Sequence, residues 1–424
     1  VNFHEAESYL FSLGNEVEAM KLGLDNIRKL LAALGDPQNN YLKAQVAGTN
    51  GKGSVCAFLK SICLEAGINA GVFTSPHLIS ITERINIGGV DIREDEFARL
   101  ATKVREMSER LAPNGEIDGN PTFFEQVTAI ALLAFADAKV EVAILETGLG
   151  GRLDATTAAN AEITAITRID IDHQQYLGKT LTEIAAEKAA IIRPDSIVVV
   201  AEQSVEPSRV IVDHCKKVGV TPQYGDFVGV REDEGGLTLA TDLAEYNIGT
   251  LGPPGRHQIE NAKVALLVAE ELARRFTFLQ SDIILGLRNA RHPGRLEFVG
   301  NVLLDGAHNV GGAIALTAFL DEYVDKPVTL IFGAMDDKDV GEMLAILVSR
   351  ADKVILTRPD NSRAMPTSEL LDQIPKTFDR KKIALSESVA DAFVAVREIS
   401  AANDLIVVAG SLYLVGEAKR ILNN

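Results

Sequence analysis

A short strand-like stretch, 42–46, leads through Ala47 into Gly48-Thr49-Asn50-Gly51-Lys52-Gly53-Ser54, and a helical pattern follows at once to about Ala66. Strand, glycine-rich turn and helix in direct succession form the opening unit of a parallel α/β sheet, and no other feature limits the possible folds so sharply. Glycines let the backbone curl so that several N–H groups face one anion, Lys52 adds a point charge, and the helix behind the turn adds its dipole. Ser54 supplies a hydroxyl where a divalent cation bound to phosphate oxygens would sit. The common phosphate loop follows its Gly-Lys pair directly with Ser or Thr; here Gly53 intervenes, which argues against an ordinary kinase or GTPase. A merely flexible turn is the alternative, and the strand, lysine and helix all weigh against it.

At 424 residues the chain is too long for one ordinary core, so two domains are expected. The first 35 residues read as helices ending near Gly35-Asp36-Pro37. Two later apolar runs have strand length: 140–145, ending in Glu146, and 163–171, ending in Asp172-His173. Runs this apolar suit central parallel strands covered on both faces, with functional side chains just past their carboxyl ends. The turn-rich His292-Pro293-Gly294-Arg295 precedes a new series of strands, Val302–Leu304, Val328–Phe332, 353–357 and Leu405–Ala409, separated by helical pattern. The expectation is an α/β protein: a phosphate-loop (P-loop) domain with a central, mostly parallel sheet over 1–295, then a smaller Rossmann-like α/β domain over 296–424.

A formal net charge of −17 speaks against a nucleic-acid partner, since duplex binding needs a basic face. An anionic small molecule still fits a locally positive site. Cys56, Cys63 and Cys215 have no metal-ligand spacing; Cys56 and Cys63 share a helix face and read as buried, reduced thiols. Residues 1–10 hold His4, Glu5 and Glu7 rather than a basic, apolar leader, and no run is long and apolar enough to span a bilayer. A cytoplasmic monomer without membrane contact is expected. Glu146 is the best metal-binding carboxylate, with a helix-cap or surface glutamate as its alternative. Gly148-Leu149-Gly150-Gly151-Arg152-Leu153 lacks the third glycine of a dinucleotide fingerprint, so an NAD enzyme is a weak reading.

The string at 48–54 resembles the ATP loop of the Mur-ligase superfamily. Four further strings resemble folylpolyglutamate synthase and dihydrofolate synthase. They are Thr74-Ser75-Pro76-His77-Leu78, Glu146-Thr147-Gly148 through Asp154-Ala155-Thr156, Asp172-His173 with Leu177-Gly178, and Asp305-Gly306-Ala307-His308-Asn309. The resemblance runs from about Leu22 to Ser411. It implies a P-loop ATPase domain and a glutamate-ligase domain that together join L-glutamate to a folate, and to dihydropteroate, through an acyl phosphate.

The resemblance also implies roles. Gly48, Thr49, Asn50, Gly51, Lys52, Gly53 and Ser54, with Asn261, Arg295 and Asp305, match ATP contacts. Ser75, Glu146 and His173, beside Ser54, match ligands for Mg²⁺, two ions being expected, and a monovalent cation is an open option. Lys188 aligns with a lysine that carries a carbamate in the family; a surface lysine paired with Glu183 or Glu187 is the plain alternative. His308 falls near the incoming amine and Ser411 near glutamate. Leu22, Gly23, Leu24, Asp25, Thr122, Phe123, Phe124, Glu125, Leu153, Asp154 and Ala155 match strings that hold dihydropteroate, although Asp25 stands where glutamate is common. His173 as a core or surface residue, Asn261 as a helix cap, Arg295 and Asp305 as an ion-pair or turn residue, and Phe123 and Phe124 as core remain alternatives.

Several rivals stand beside this reading. A cell-wall Mur ligase carries a whole sugar-nucleotide domain before its ATP loop, whereas 51 residues precede Lys52 here. A monofunctional folylpolyglutamate synthase, a non-ligating P-loop nucleotide switch and a cyanophycin- or peptide-type ligase are the others.

Overall fold

The computed structural model describes residues 1–14, 23–401 and 403–423. The chain forms two compact units, one of residues 1–252 and 259–291, the other of 253–258 and 292–424. The sequence expectation was a single division at 295/296; the short segment 253–258 groups instead with the second unit.

The first unit is built on β1 (Leu42–Ala47), β2 (Ala70–Phe73), β3 (Ile85–Ile87), β4 (Val90–Asp91), β5 (Val142–Glu146), β6 (Ile163–Ile166), β7 (Ile197–Val200) and β8 (Gln223–Tyr224). Among the described residues these form an eight-stranded sheet in the order β4-β3-β2-β5-β1-β6-β7-β8. Only the β2–β3 and β3–β4 pairs are antiparallel. The strand before the glycine loop is therefore flanked on both sides. Val46 pairs with Glu146 of β5, and Ala47 pairs with Ile166 of β6. Three chain segments thus leave the sheet side by side, at the edge where α/β proteins bind ligands.

Burial follows the two-fold pleat. In β5, Ala143 and Leu145 join one apolar cluster, while Val142 and Ile144 join another on the opposite face. The second cluster contains Cys56 and Cys63, both buried. Its floor is the helix Lys52–Glu65 packed against the helix Gln280–Asn289. Gly286 makes that packing possible: a Cβ there would lie 2.4 Å from the Cα of Ile62. Above the same cluster, β9 (Gly229–Asp233), β10 (Gly236–Ala240) and β11 (Glu245–Gly249) form an antiparallel sheet. Its buried Leu237, Leu239, Tyr246 and Ile248 cover the core, an arrangement the sequence analysis did not foresee.

The run 163–171 is shorter as a strand than its apolarity suggested. β6 ends at Ile166, and the chain turns into a loop as Thr167 N–H donates to Ala47 O at 2.8 Å. The second unit carries β12 (Glu297–Val299), β13 (Val302–Leu304), β14 (Val328–Phe332), β15 (Lys353–Leu356), β16 (Ile383–Leu385) and β17 (Leu405–Ala409). Their order is β12-β13-β17-β14-β15-β16, parallel except for β12–β13. This matches the expected Rossmann-like arrangement. The exits of β13 and β17 are neighbours: Asp305 N–H donates to Val408 O at 3.0 Å, and Gly410 N–H to Ala307 O at 2.9 Å. Among the described residues no helix is long and apolar enough to cross a membrane.

Gly286→Ala forces a methyl against the backbone of the helix Lys52–Glu65. It should destabilise the fold by about 1–3 kcal/mol, the usual cost of overpacking, measurable by urea denaturation.

Candidate active site

The loop after β1 is held open by two glycines and closed by two lysines. Gly48 has φ +148°, and a Cβ there would stand 1.9 Å from Thr167 Oγ1. At Gly51, φ +95°, a Cβ would meet Asn261 Oδ1 at 2.1 Å. Neither site admits a side chain. Gly51 is also the N-cap residue of the helix Lys52–Glu65 and offers no side-chain oxygen to it. The first-turn amides of that helix, at Lys52, Gly53 and Ser54, have no acceptor within their own helix and carry the positive end of its dipole. Thr49 and Asn50, matched to ATP contacts by resemblance, both donate their amides to Arg168 O, at 2.9 and 3.2 Å. They brace the loop against the β6 exit instead of facing an anion.

Lys52 folds back over the loop, its Nζ 3.2 Å from both Gly48 O and Thr49 O. Lys188, in the helix Leu181–Ala189, reaches the same Gly48 carbonyl at 2.7 Å. It is not a surface lysine: it is 5% exposed. Burial, and then the neighbouring Lys52 charge, bring its amine down to about 7, against the opposing pull of Asp172 and Asp154. The β5 exit packs on the same helix. A Cβ at Gly151 would lie 2.8 Å from Glu187 O, and Arg152 N–H donates to that carbonyl at 2.8 Å.

Glu146, 6% exposed, ends β5 and accepts the Ser75 N–H at 3.3 Å. Neither a helix cap nor a surface position describes it. Ser54 is buried in the first turn after the loop. His173 lies on the β6 exit in a left-handed conformation, φ 50°, with its N–H bonded to Asp172 Oδ1 at 2.8 Å. The structure thus joins Ser75 to Glu146 directly and places Ser54 and His173 on the exits of β1 and β6. Among the described residues no three His, Cys, Asp or Glu side chains gather into a ready-made cage. A divalent ion here would draw on hydroxyls, water and ligand oxygens, which suits Mg²⁺ better than a soft metal. Asn261 sits a full turn inside the helix His257–Ala273, against Gly51, so it is not a cap.

The residues matched to dihydropteroate contacts have uneven freedom. Leu22 lies outside the described residues. Gly23 and Leu24 lead into the helix Asp25–Ala33, of which Asp25 is the first residue. Thr122 and Glu125 form a capping box on the helix Phe123–Asp137. Phe123 is core: it stacks on Phe11 at 5.6 Å, with the Arg84 guanidinium 5.3 Å from its centroid. Phe124 is half-buried and lies over Gly148, where a Cβ would touch its ring at 2.6 Å. Asp154 caps the short helix Ala155–Ala159 through Thr156 and accepts the Leu149 N–H at 2.9 Å. Burial pushes its carboxyl above the usual range. Leu153 is half-buried and Ala155 buried.

In the second unit, Asp305 follows β13 and accepts from Leu296 N–H at 2.8 Å and Ala307 N–H at 2.9 Å, while burial raises its carboxyl. It is thus neither a surface ion pair nor a simple turn residue. The Gly306 carbonyl accepts from Arg295 Nη1 at 2.6 Å and lies 2.8 Å from His308 Nδ1. Because a carbonyl only accepts, Nδ1 carries the proton, so in the uncharged form of the ring Nε2 is the acceptor nitrogen. Ser411 is buried and takes the Tyr413 N–H on its Oγ at 3.1 Å, beginning the last helix. Sequence reasoning passed over Thr167, Arg168, Asp170 and His257. The first three were hidden inside an apparent strand, although the polar alternation from Thr167 to Asp172 was a signal. His257 packs on Gly255 beside Arg295.

Residues 46–269 match the family model described as Mur ligase middle domain, and 294–412 match Mur ligase, glutamate ligase domain. The dihydrofolate synthase/folylpolyglutamate synthase of Bacillus subtilis is 33% identical over 99% of both chains. The chain belongs to this family of Mur ligases. A Haloferax volcanii relative, a probable bifunctional folylpolyglutamate synthase/dihydropteroate synthase, is 34% identical over 99% of this chain and 50% of its own length. This chain therefore spans about half the length of that relative. Among solved structures, Mycobacterium tuberculosis folylpolyglutamate synthase complexed with ADP and AMPPCP superposes with a TM-score of 0.90 at 30% identity, covering 100% of this chain and 98% of that one. The family's two domain types thus lie on the two sheets described above.

Burial, and then Arg295, lower His257 from 6.5 to about 4. Its imidazole is neutral when folded and takes up a proton more readily when unfolded, so its contribution to stability is intact above about pH 6.5 and falls as pH drops toward 4. His257→Gln should lose less stability over that interval than the parent protein, as measured by urea denaturation across the pH range.

Proposed function

We propose that this chain is an ATP-dependent carboxylate–amine ligase that adds L-glutamate to a folate, and also to dihydropteroate. The observation that carries the proposal is the convergence of Lys52 and Lys188 on the Gly48 carbonyl, between the strand ending in Glu146 and the exit bearing His173. Lys52 brings positive charge to where a transferring phosphoryl group would rest, and Lys188 meets the same carbonyl with an amine poised between its charged and neutral forms. Family membership and the neighbour's nucleotide complexes support the same reading.

The chemistry runs in two steps. A substrate carboxylate oxygen attacks the γ-phosphorus of ATP, the bond to the bridging oxygen breaks, and ADP leaves. The first-turn amides and Lys52 take up charge on the phosphates, and Arg295 is a proposed phosphate contact. The glutamate amine then attacks the acyl carbonyl; the carbon–oxygen bond to phosphate breaks and the nitrogen loses a proton. His308, with Nε2 as acceptor, is suited to receive that proton. Asn261, beside Gly51, and Asp305 are proposed nucleotide contacts, and Ser411 a glutamate contact. Phe124 over Gly148 offers an aromatic face to the pterin or aminobenzoate ring.

Mg²⁺, held by Ser54, Ser75, Glu146 and His173, would neutralise phosphate charge and orient the γ-phosphoryl group. An amine at about 7 is partly uncharged at neutral pH, so Lys188 can attack CO₂ and become an anionic carbamate, an oxygen ligand for a second Mg²⁺. A cytoplasmic setting, where Cys56, Cys63 and Cys215 remain thiols, suits these substrates.

Incubation with ATP, Mg²⁺ and labelled glutamate, offering dihydropteroate and tetrahydrofolate in separate reactions, should give a labelled amide and ADP in each. ADP release indifferent to glutamate would instead identify a nucleotide switch. Lys52→Ala should lower turnover by about 10²–10³ with the fold intact by circular dichroism. Wild-type protein under ¹³C-bicarbonate should show a carbamate carbonyl resonance that Lys188→Met lacks.

A further inference from the structure

The phosphate loop is fastened to the segment leaving β6 by hydrogen bonds that the reaction scheme does not use. The amides of Thr49 and Asn50 donate to Arg168 O. Thr49 Oγ1 donates to Asp170 O at 3.0 Å and accepts the Asp170 N–H at 3.1 Å. The Asp170 carboxylate closes the junction. Its Oδ2 accepts from Asn50 Nδ2 at 2.9 Å and its Oδ1 from Arg168 Nε at 3.2 Å. From behind, Gln203 pins the same segment, accepting the Ile169 N–H and donating to Thr167 O, both at 3.0 Å.

Arg168 is two-thirds exposed, so its ion pair with Asp170 adds little. The bond to Asn50 differs. Its acceptor is a carboxylate one-quarter exposed, and a charged acceptor makes the stronger kind of hydrogen bond. It joins two segments 120 residues apart in sequence. One segment cradles phosphate, and the other continues to Asp172 and to the left-handed His173.

We propose that Asp170 is a positioning residue that holds the phosphate loop in register with the cation-binding end of the β6 exit, so that nucleotide and divalent cation bind as one unit. The inference rests on the nucleotide site proposed above. Without the carboxylate, the Asn50 side chain loses this bond, and the part of the loop that the bond held must be ordered at the moment of binding. That cost falls on nucleotide and cation alike, because coupling between two ligands is reciprocal.

The test uses the full chain as wild type, Asp170→Ala, Asp170→Asn, Asn50→Ala and the Asn50→Ala/Asp170→Ala double variant, titrated with a fluorescent ADP analogue at several MgCl₂ concentrations. Asp170→Ala should weaken binding of the Mg²⁺–nucleotide by about tenfold, the effect of one hydrogen bond to a charged group. The Mg²⁺ midpoint should rise by a similar factor. Asp170→Asn, which keeps one neutral acceptor, should fall between, and the double variant should be no weaker than the worse single one. The proposal is overturned if Asp170→Ala binds within about twofold of wild type, if the two substitutions add, or if nucleotide affinity falls with the Mg²⁺ midpoint unchanged. Thermal melts check folding; should Asp170→Ala not fold, Asp170→Asn combined with Asn50→Ala supplies the same cycle. Wild type that binds nucleotide but ligates no glutamate refutes the ligase reading alone, and the cycle still decides the role of Asp170. Wild type that binds no nucleotide overturns both.

Discussion

One buried contact organises the first unit's site: the Lys188 ammonium on the Gly48 carbonyl. A lysine this deeply enclosed must either find partners or give up its proton, and here it does some of each. The bond fixes the first residue of the glycine loop from the side of the helix Leu181–Ala189. Steric closure by Thr167 fixes the same residue from the β6 side. The loop proposed to hold phosphate is therefore shaped before any ligand arrives, which is the condition under which electrostatic stabilisation is most effective.

That contact is available only because β1 lies between β5 and β6. A central strand has two neighbours, and each contributes its exit: Glu146 from one side, and Thr167, Arg168, Asp170 and His173 from the other. The glycines beyond Glu146 serve this geometry as well. Gly148 makes room for the Phe124 ring, and Gly151 lets the β5 exit lie on the backbone of the helix that carries Lys188. Chemistry-bearing side chains and close-packing glycines alternate along one stretch of chain because both are needed at the same sheet edge.

Much of this was legible in the sequence. The strand, glycine loop and helix at 42–66 announce themselves through glycine and lysine, whose physical roles are local. The strands of the second unit read equally well, because each is an apolar run between turn residues. What stayed hidden depends on partners distant in the chain. Asp170 looked like part of a strand, since Ile169 and Ile171 surround it and the bond that reveals it reaches back to Asn50. Lys188 among alanines resembled an ordinary helical lysine, although small neighbours such as Ala185 and Ala189 are what allow a helix face to be buried. Thr122 and Glu125, three apart before an apolar run, carry a readable capping-box pattern. Asp154, Asp305 and Ser411 were picked out by resemblance, yet no string could say that each also caps a helix or ties down a loop. The small sheet β9–β10–β11 went unread because its alternation is short and its turns are acidic.

The separation of 121 residues between Thr49 and its partner Asp170 has a consequence for the nascent chain. Since β1 comes first in the chain and pairs with both β5 and β6, the loop emerges from the ribosome long before the segments that shape it. Until residues 142–170 have been synthesised, the partners that hold those glycines in place are missing. Long-range closure of this kind is slow and leaves apolar strand edges exposed while it proceeds.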